Sequence, residues 1–526
     1  MKFQFIILFY FLSSLLCSLD ANAENDDDCE INNAIITKIN YIVKAPHQLI
    51  EKNESSWLKI FYTPTKQETI EQYLTFKLGS KVNIKKIKET IRKLRAAKFI
   101  WDSTYQLTIK NDCTASINIT VHDTFPFRPK LAFTRKNGAN STSFGLINKN
   151  LFGSGTSLQI EVKNNKLREE KIIEYINPNF AKRHYFFKGL YSDNSDGKQI
   201  QFRFAKPFHH LDSTASFDSY VNLYDSNLEL YNNTEIAFQS NYSKDTTSLS
   251  YAFLTKSLLH YERSRISFNI KDEQAEYDSL ALMDRHLVEF SASLELFDTD
   301  FIEVKNIRNM NQFEDYNQGV NLAFSFGAIY DQLNENWSPK LSASLSKTTV
   351  YNPYTVLITE INYSHKSFSN YLNQSKISSH FEYNYFDEDY QQSWNAKIKY
   401  KKLQNPNPEN FISMDEEFPI RGFPYGYRLG DSMIALNIEK RWFNLANIFE
   451  IFNVAAVAFY DIGQISLENS DIFSKQKTTL QSAGVGLRIS PSKFSKNIVV
   501  HIDLAFPQGN DIDDNYQLNI FGLRHF

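Results

Sequence analysis

Cysteine is scarce in this chain of 526 residues, with only Cys17, Cys29 and Cys113, too few for a scaffold built on disulfides. Glycine and proline number 17 and 14, which excludes collagen-like and flexible low-complexity chains. No sign of charge dominates: 57 Lys and Arg stand against 60 Asp and Glu, for a net charge of −3. The concentrated cationic surface needed to hold a phosphate backbone is missing, so nucleic acid is not an expected partner. Mean hydropathy is −0.41, and past the N-terminus there is no run of about 18 apolar residues of the kind a helical membrane span requires. That absence says nothing about a membrane barrel, whose strands hide in alternation. What is abundant is aromatic: 43 Phe, 29 Tyr and 5 Trp make up 15% of the chain, too aromatic for a disordered polypeptide.

The N-terminus carries an address. Lys2 precedes the apolar stretch 3–16, and Ala21-Asn22-Ala23 fits the small-x-small cleavage rule, so residues 1–23 read as a secretory signal peptide. The competing reading, lipidation at Cys17, is disfavoured by the bulky Leu16 before it. In the exported chain Cys29 and Cys113 remain, and a bridge between them is one expectation in an oxidising compartment, two free thiols the other.

Residues 24–125 read as one small α/β unit. Ile35-Ile36-Thr37-Lys38-Ile39-Asn40-Tyr41-Ile42 alternates as a strand does. Thr65 and Glu68 have capping-box spacing ahead of Ile70 and Leu74. After Asn83, Ile84, Ile87, Ile91 and Leu94 recur at intervals of three and four, the period of an amphipathic helix. Strands fit around 105–109 and 116–121, giving the order β-α-α-β-β with two helices on one face of the sheet. The second helix carries Lys85, Lys86, Lys88, Arg92, Lys93 and Arg95 on its polar side. That side reads as a solvated face or as a contact for acidic lipid headgroups or an acidic partner.

From 126 to 526 the texture changes to short alternating runs between polar turns. Leu158-Gln159-Ile160-Glu161-Val162, Gln199-Ile200-Gln201-Phe202-Arg203-Phe204 and Val500-His501-Ile502-Asp503-Leu504 are examples. A soluble sandwich would alternate too, with its apolar side inward. Nearly 400 such residues make a very large soluble domain, whereas a closed barrel with lipid outside and a polar lumen uses the same pattern and leaves no sheet edges. Exported status and aromatic excess favour the barrel. More than sixteen candidate runs occur, so pattern alone does not fix the strand number.

This arrangement resembles the BamA/TamA superfamily of POTRA-plus-barrel outer-membrane proteins. Phe76-Lys77-Leu78-Gly79 and Leu94-Arg95-Ala96-Ala97-Lys98-Phe99 look like the middle of a POTRA domain. Asn150-Leu151-Phe152-Gly153-Ser154-Gly155 and Asn177-Pro178-Asn179-Phe180 are similar to two of the family's barrel turns. Ile420-Arg421-Gly422-Phe423 resembles the Val-Arg-Gly-Phe/Tyr signature of its inward-folded sixth extracellular loop, and five strand candidates follow it, around 434–438, 454–460, 485–489, 499–504 and 516–520. Trp57-Leu58 and the stretch 61–79 are similar to the opening of the single-POTRA branch.

The resemblance implies a mainly β protein: one POTRA domain, then a sixteen-stranded antiparallel transmembrane barrel over 126–526. It implies that Arg421 folds into the lumen and pairs with Glu439 or Asp461, where a partly desolvated guanidinium needs carboxylates, and that Gly422 permits a turn a Cβ would obstruct. Tyr516, Leu518, Ile520, Gly522, Arg524 and Phe526 share one face of the last strand, similar to the signal by which barrel proteins are recognised for insertion. Gly522 is expected to weaken pairing of that strand with the first one, near 131–135. The implied work is inserting or translocating protein at the bacterial outer membrane through a lateral seam, by a monomeric barrel without cofactor, metal or covalent catalysis. Its partners would be outer-membrane lipid, unfolded or β-strand clients, and periplasmic accessory proteins docking on the POTRA domain. A passive channel or surface antigen, and a lipid-acting barrel enzyme whose Ser and His lie far apart in sequence, are the alternatives.

Overall fold

Strong alternation in the chain segment 114–123 makes the centre of the first unit. In a computed structural model, Ala115, Ile117, Ile119 and Val121 are buried at every second position of strand β3 (Thr114–Asp123). Strand β1 (Ile35–Lys44) pairs parallel to it and β2 (Ile100–Ile109) antiparallel, so the sheet order is β1-β3-β2. Between them run helices α1 (Gln67–Glu71) and α2 (Ile84–Ala96). The apolar stripe Ile87, Ile91 and Leu94 of α2 packs with Ile36, Ile70, Phe99 and the β3 side chains. Asn83 caps α2, its side-chain oxygen accepting from the Lys86 N–H at 3.1 Å.

The structure describes residues 33–46, 62–209, 213–258, 261–278, 284–310, 313–367, 373–414, 420–449, 452–468, 473–491, 498–509 and 515–524. The expected signal peptide, Cys29, Trp57, Leu58 and Phe526 lie outside them. Cys113 is disulfide-bonded.

The capping box expected at Thr65 does not form; Lys66 is the N-cap of α1 and offers no side-chain bond. A buried carboxylate outcompetes it. Asp123 accepts from the Thr65 hydroxyl (2.7 Å), the Thr65 N–H (2.9 Å) and the Tyr62 hydroxyl (2.8 Å), while burial pushes its own carboxyl upward. The Thr65 oxygen also accepts from Asn150 Nδ2 at 2.8 Å, which ties the α/β unit to the turn between the barrel's second and third strands. In that turn the Gly153 carbonyl accepts from Lys66 N–H (3.0 Å) and the Thr69 hydroxyl (2.8 Å). Gly153 has φ +72°, and a Cβ there would lie 2.4 Å from the Pro64 oxygen; one on Gly155 would lie 2.8 Å from the Phe99 ring. The glycines let the two units meet backbone to backbone.

Among the described residues twenty antiparallel strands close into a barrel, from Phe127–Lys136 to Gln517–Arg524. This corrects the sixteen strands that the resemblance implied. Connections as short as 137–138, 195–196 and 233–234 join long strands in tight hairpins, so 400 residues suffice for four more strands than expected. Asn177–Phe180, expected as a turn, ends the strand Glu169–Phe180, and the turn follows at 181–184.

Alternation along each strand sorts the faces. Outward stand Leu131, Phe144, Ile160, Phe268, Phe326 and Leu341, all exposed. Inward stand charged pairs: buried Glu161 with Lys130 (2.6 Å), and Glu289 with Lys340 (2.5 Å) and Lys366. An apolar exterior around a paired, polar interior is the arrangement of a barrel dissolved in lipid. No helix among the described residues is long and apolar enough to cross a membrane. One rim carries the α/β unit; the opposite rim carries the long connection 405–431, which holds the Arg421 motif.

Candidate functional site

The described parts of the loop, 405–414 and 420–431, fold down into the lumen because they bring their own small core. Ile420 and Phe423, both 0% exposed, pack with Leu403, Ile412, Met414, Tyr427, Ile465 and Leu480. The two-residue strands Ile412–Ser413 and Leu429–Gly430 pair to close the loop on itself. Its far side reaches across the mouth: Asn233 and Thr234 N–H groups donate to the Tyr427 and Gly426 carbonyls at 3.1 and 3.0 Å, and Tyr425 N–H donates to the Asn137 carbonyl at 2.5 Å. Removing the Phe423 ring leaves a cavity in this core. Phe423→Ala is expected to cost about 3–5 kcal/mol, measured as the urea concentration at which the purified barrel loses its fast-migrating folded form on gels.

Arg421 sits between the ring of Phe459, 3.5 Å from its guanidinium carbon, and three carboxylates. Its Nε and Nη2 form a fork with Asp461 Oδ2 (2.8 Å) and Oδ1 (2.9 Å), and its backbone N–H also donates to Asp461 (3.2 Å). Nη1 donates to Glu439 (3.1 Å) and to Asp503 (3.2 Å). Both carboxylates named from the sequence therefore meet the arginine at once.

Sequence reasoning missed the rest of the cluster. Arg488 donates from Nη1 to Asp503 (2.5 Å) and from Nη2 to Glu439 (2.6 Å), and Arg441 donates from Nε to Glu439 (2.6 Å). Three arginines thus balance three buried carboxylates, supplied by four successive strands and the loop. Asn437 Nδ2 satisfies Asp461 further, at 2.9 Å. The signal lay in the register: Asp503 and Arg488 occupy the polar face of alternating strands, as Glu439 and Asp461 do. Gly422, at φ +91°, lies so close to the wall that a Cβ would come within 3.1 Å of Ala505 and 3.2 Å of Pro507.

Where the first and last strands meet, the barrel is closed but its register pairing is sparse. Among the described residues one register pair joins them, Ile520 opposite Arg135. The last strand pairs with its other neighbour over eight positions, from Ile498 opposite Arg524 to Ala505 opposite Gln517, and the first with its own over ten. Side chains hold the far-rim end: Asn519 Oδ1 accepts from the Asn137 N–H at 2.9 Å, and Lys136 Nζ lies 5.4 Å from the centre of the Phe521 ring. Leu518 and Gly522 are exposed on the lipid face of the last strand with Ile520, and Tyr516 precedes it, also exposed. A Cβ on Gly522 would meet open space.

No protein-family model matches this sequence, and no curated protein does. Among solved structures the chain is similar to CdiB from Acinetobacter baumannii (11% identity, covering 93% of this chain and 73% of that one, TM-score 0.44). It is similar also to CdiB from Escherichia coli (12%, 92% and 75%, 0.45) and to BamA from Haemophilus ducreyi lacking POTRA domains 1–3 (12%, 93% and 84%, 0.40).

Proposed function

We propose that this protein is an outer-membrane barrel of the BamA/TamA type, which inserts or translocates protein at the bacterial outer membrane, with the α/β unit standing in the periplasm as its single POTRA domain. The observation that carries the reading is the seam. Along 131–135 and 520–524 the two edge strands share a single register pair, Ile520 opposite Arg135, where each pairs with its other neighbour position by position. Such an edge accepts an incoming strand by β-augmentation. The client is then an unfolded or β-rich polypeptide, released sideways into lipid.

The Arg421 cluster supports this reading by stiffening the wall beside the seam. Asp503 lies on the penultimate strand, next to the one that forms the seam, and Tyr425 of the Arg421 loop bonds the turn of the first strand. One side of the seam is thereby braced while its pairing stays weak. The barrel works as a monomer, without a cofactor, and the exposed sheet of the periplasmic unit is where accessory proteins would dock.

Depletion followed by quantitative proteomics of outer membrane and medium tests the reading. Loss of particular barrels or secreted proteins is expected. Unchanged proteomes with ion conductance by the purified barrel would replace it with a passive channel, and lipid cleavage by the purified barrel with an enzyme.

A further inference from the structure

The segment 298–319, on the rim that carries the α/β unit, is longer than a turn requires. It forms a hairpin of its own, Phe301–Lys305 paired with Phe313–Asn317, and takes no part in the barrel wall. Rather than standing off the rim, its end turns inward, with Asn306, Ile307, Asn309 and Met310 buried. Val304, Ile307 and Tyr316 pack with Val356 and Ile358, and Met310 packs with Phe386, Phe443, Ala455 and Val499. These wall residues lie on the inward face of strands reaching as far round as Ile498–Gln508. The hairpin therefore lies across a chord of the lumen.

Its tip is built to carry one cation. Glu314 Oε1 accepts from the N–H groups of Ile307 (3.1 Å), Arg308 (3.0 Å) and Asn309 (3.1 Å), and Oε2 from the Tyr316 hydroxyl (3.0 Å). So held, the tip projects Arg308 onto buried Glu382, with Nε 3.2 Å and Nη2 2.7 Å from its two oxygens. The base is moored outside the barrel. Arg95 of α2 bonds Glu303 and Asp315 (2.9 Å), and the Arg92 guanidinium lies 4.0 Å over the Phe301 ring. The basic face of α2 thus has an acidic partner within the same chain. One further link joins the two ends of the lumen: Arg441, which pairs with Glu439 beside Arg421, also donates to the Ile307 carbonyl at 3.4 Å.

We infer that the hairpin 298–319 is a plug, which closes the lumen from the periplasmic side, is latched by Arg308 on Glu382 and is moved by the periplasmic unit through Arg95. A tip that buries both apolar and charged groups has two discrete positions rather than a continuum. Displacing α2 pulls on the base through two ion pairs, and the latch then decides whether the tip leaves the wall. Glu382 keeps Lys397 at 3.7 Å when Arg308 withdraws, so the open state strands no bare carboxylate. The inference concerns closure of the lumen and stands whether or not a client uses the seam.

Conductance of the purified full chain in planar lipid bilayers tests it. The wild type is expected to be closed nearly all the time. Arg308→Ala should raise the open fraction roughly a hundred-fold, the effect of losing a buried bidentate pair on a two-state equilibrium, and Arg308→Lys by less. Arg95→Glu, outside the lumen, should raise it as well. Replacing 301–317 with a short Gly-Ser turn should hold the pore open. Wild-type conductance in Arg308→Ala and in the hairpin replacement would overturn the inference. If the replacement fails to fold, the two Arg308 variants decide, since the wall keeps its own charge balance.

Discussion

Arg421→Ala is expected to destabilise the barrel by about 3–5 kcal/mol, the usual result of removing one partner from a buried ion pair. The surrounding bonds identify the group that suffers. Glu439 keeps Arg441 and Arg488, and Asp503 keeps Arg488. Asp461, 0% exposed, loses both arms of the guanidinium fork and retains the Arg421 backbone N–H and Asn437. Arg421→Lys should be intermediate, because an ammonium supplies charge but no fork. Arg421→Ala combined with Asp461→Asn should recover much of the loss, which a simple cavity would not do. Urea titration of the heat-modifiable gel band gives all three stabilities. An Arg421→Ala protein as stable as the wild type would remove the clamp from the account.

The second large effect concerns the seam. Cysteines at Arg135 and Ile520, which face each other in register, should cross-link on oxidation and abolish client delivery, with restoration by reductant. Cells depleted of the wild-type protein and carrying the double variant should lose client barrels or secreted proteins under oxidising conditions only. The single variants serve as controls. Full delivery with the cross-link in place would eliminate lateral opening while leaving the fold untouched.

The sequence showed different parts of this molecule with unequal clarity, for physical reasons. Period alone located α2, because a helix buried on one side must repeat its apolar residues at three and four. It located β3 equally well. The barrel's nature was legible from Leu158-Gln159-Ile160-Glu161-Val162, where Ile160 and Val162 face outward and Glu161 is buried. Strand number was not. The strand Glu235–Leu258 is 24 residues long, and its portion 239–247 is polar on both faces, so alternation there fades while the pairing continues. The figure of sixteen came from the resemblance rather than from any property of these residues.

In the site, a short motif brought Arg421, Glu439 and Asp461 together, yet Asp503 and Arg488 went unassigned. Charges on alternating strands carry no mark of which loop they will meet, since that depends on strand register around the barrel. The hairpin 298–319 was hidden for the opposite reason. Its Phe-Ile-Glu-Val-Lys strand alternates as a wall strand would, and only closure of the barrel without it shows that it turns inside. Thr65 illustrates local signal losing to tertiary demand: its capping partner lay three residues away, but a buried carboxylate took the hydroxyl.

The central claim is that the outer surface meets lipid and the charged loop cluster lies inside. Nitroxide labels placed one at a time along 433–441 in reconstituted vesicles test it most directly. Oxygen, which dissolves in lipid, should collide most with labels at 434, 436, 438 and 440, and least with those at 433, 435, 437, 439 and 441. Loss of the two-residue period, or its reversal so that position 439 meets lipid and position 434 does not, would contradict the account.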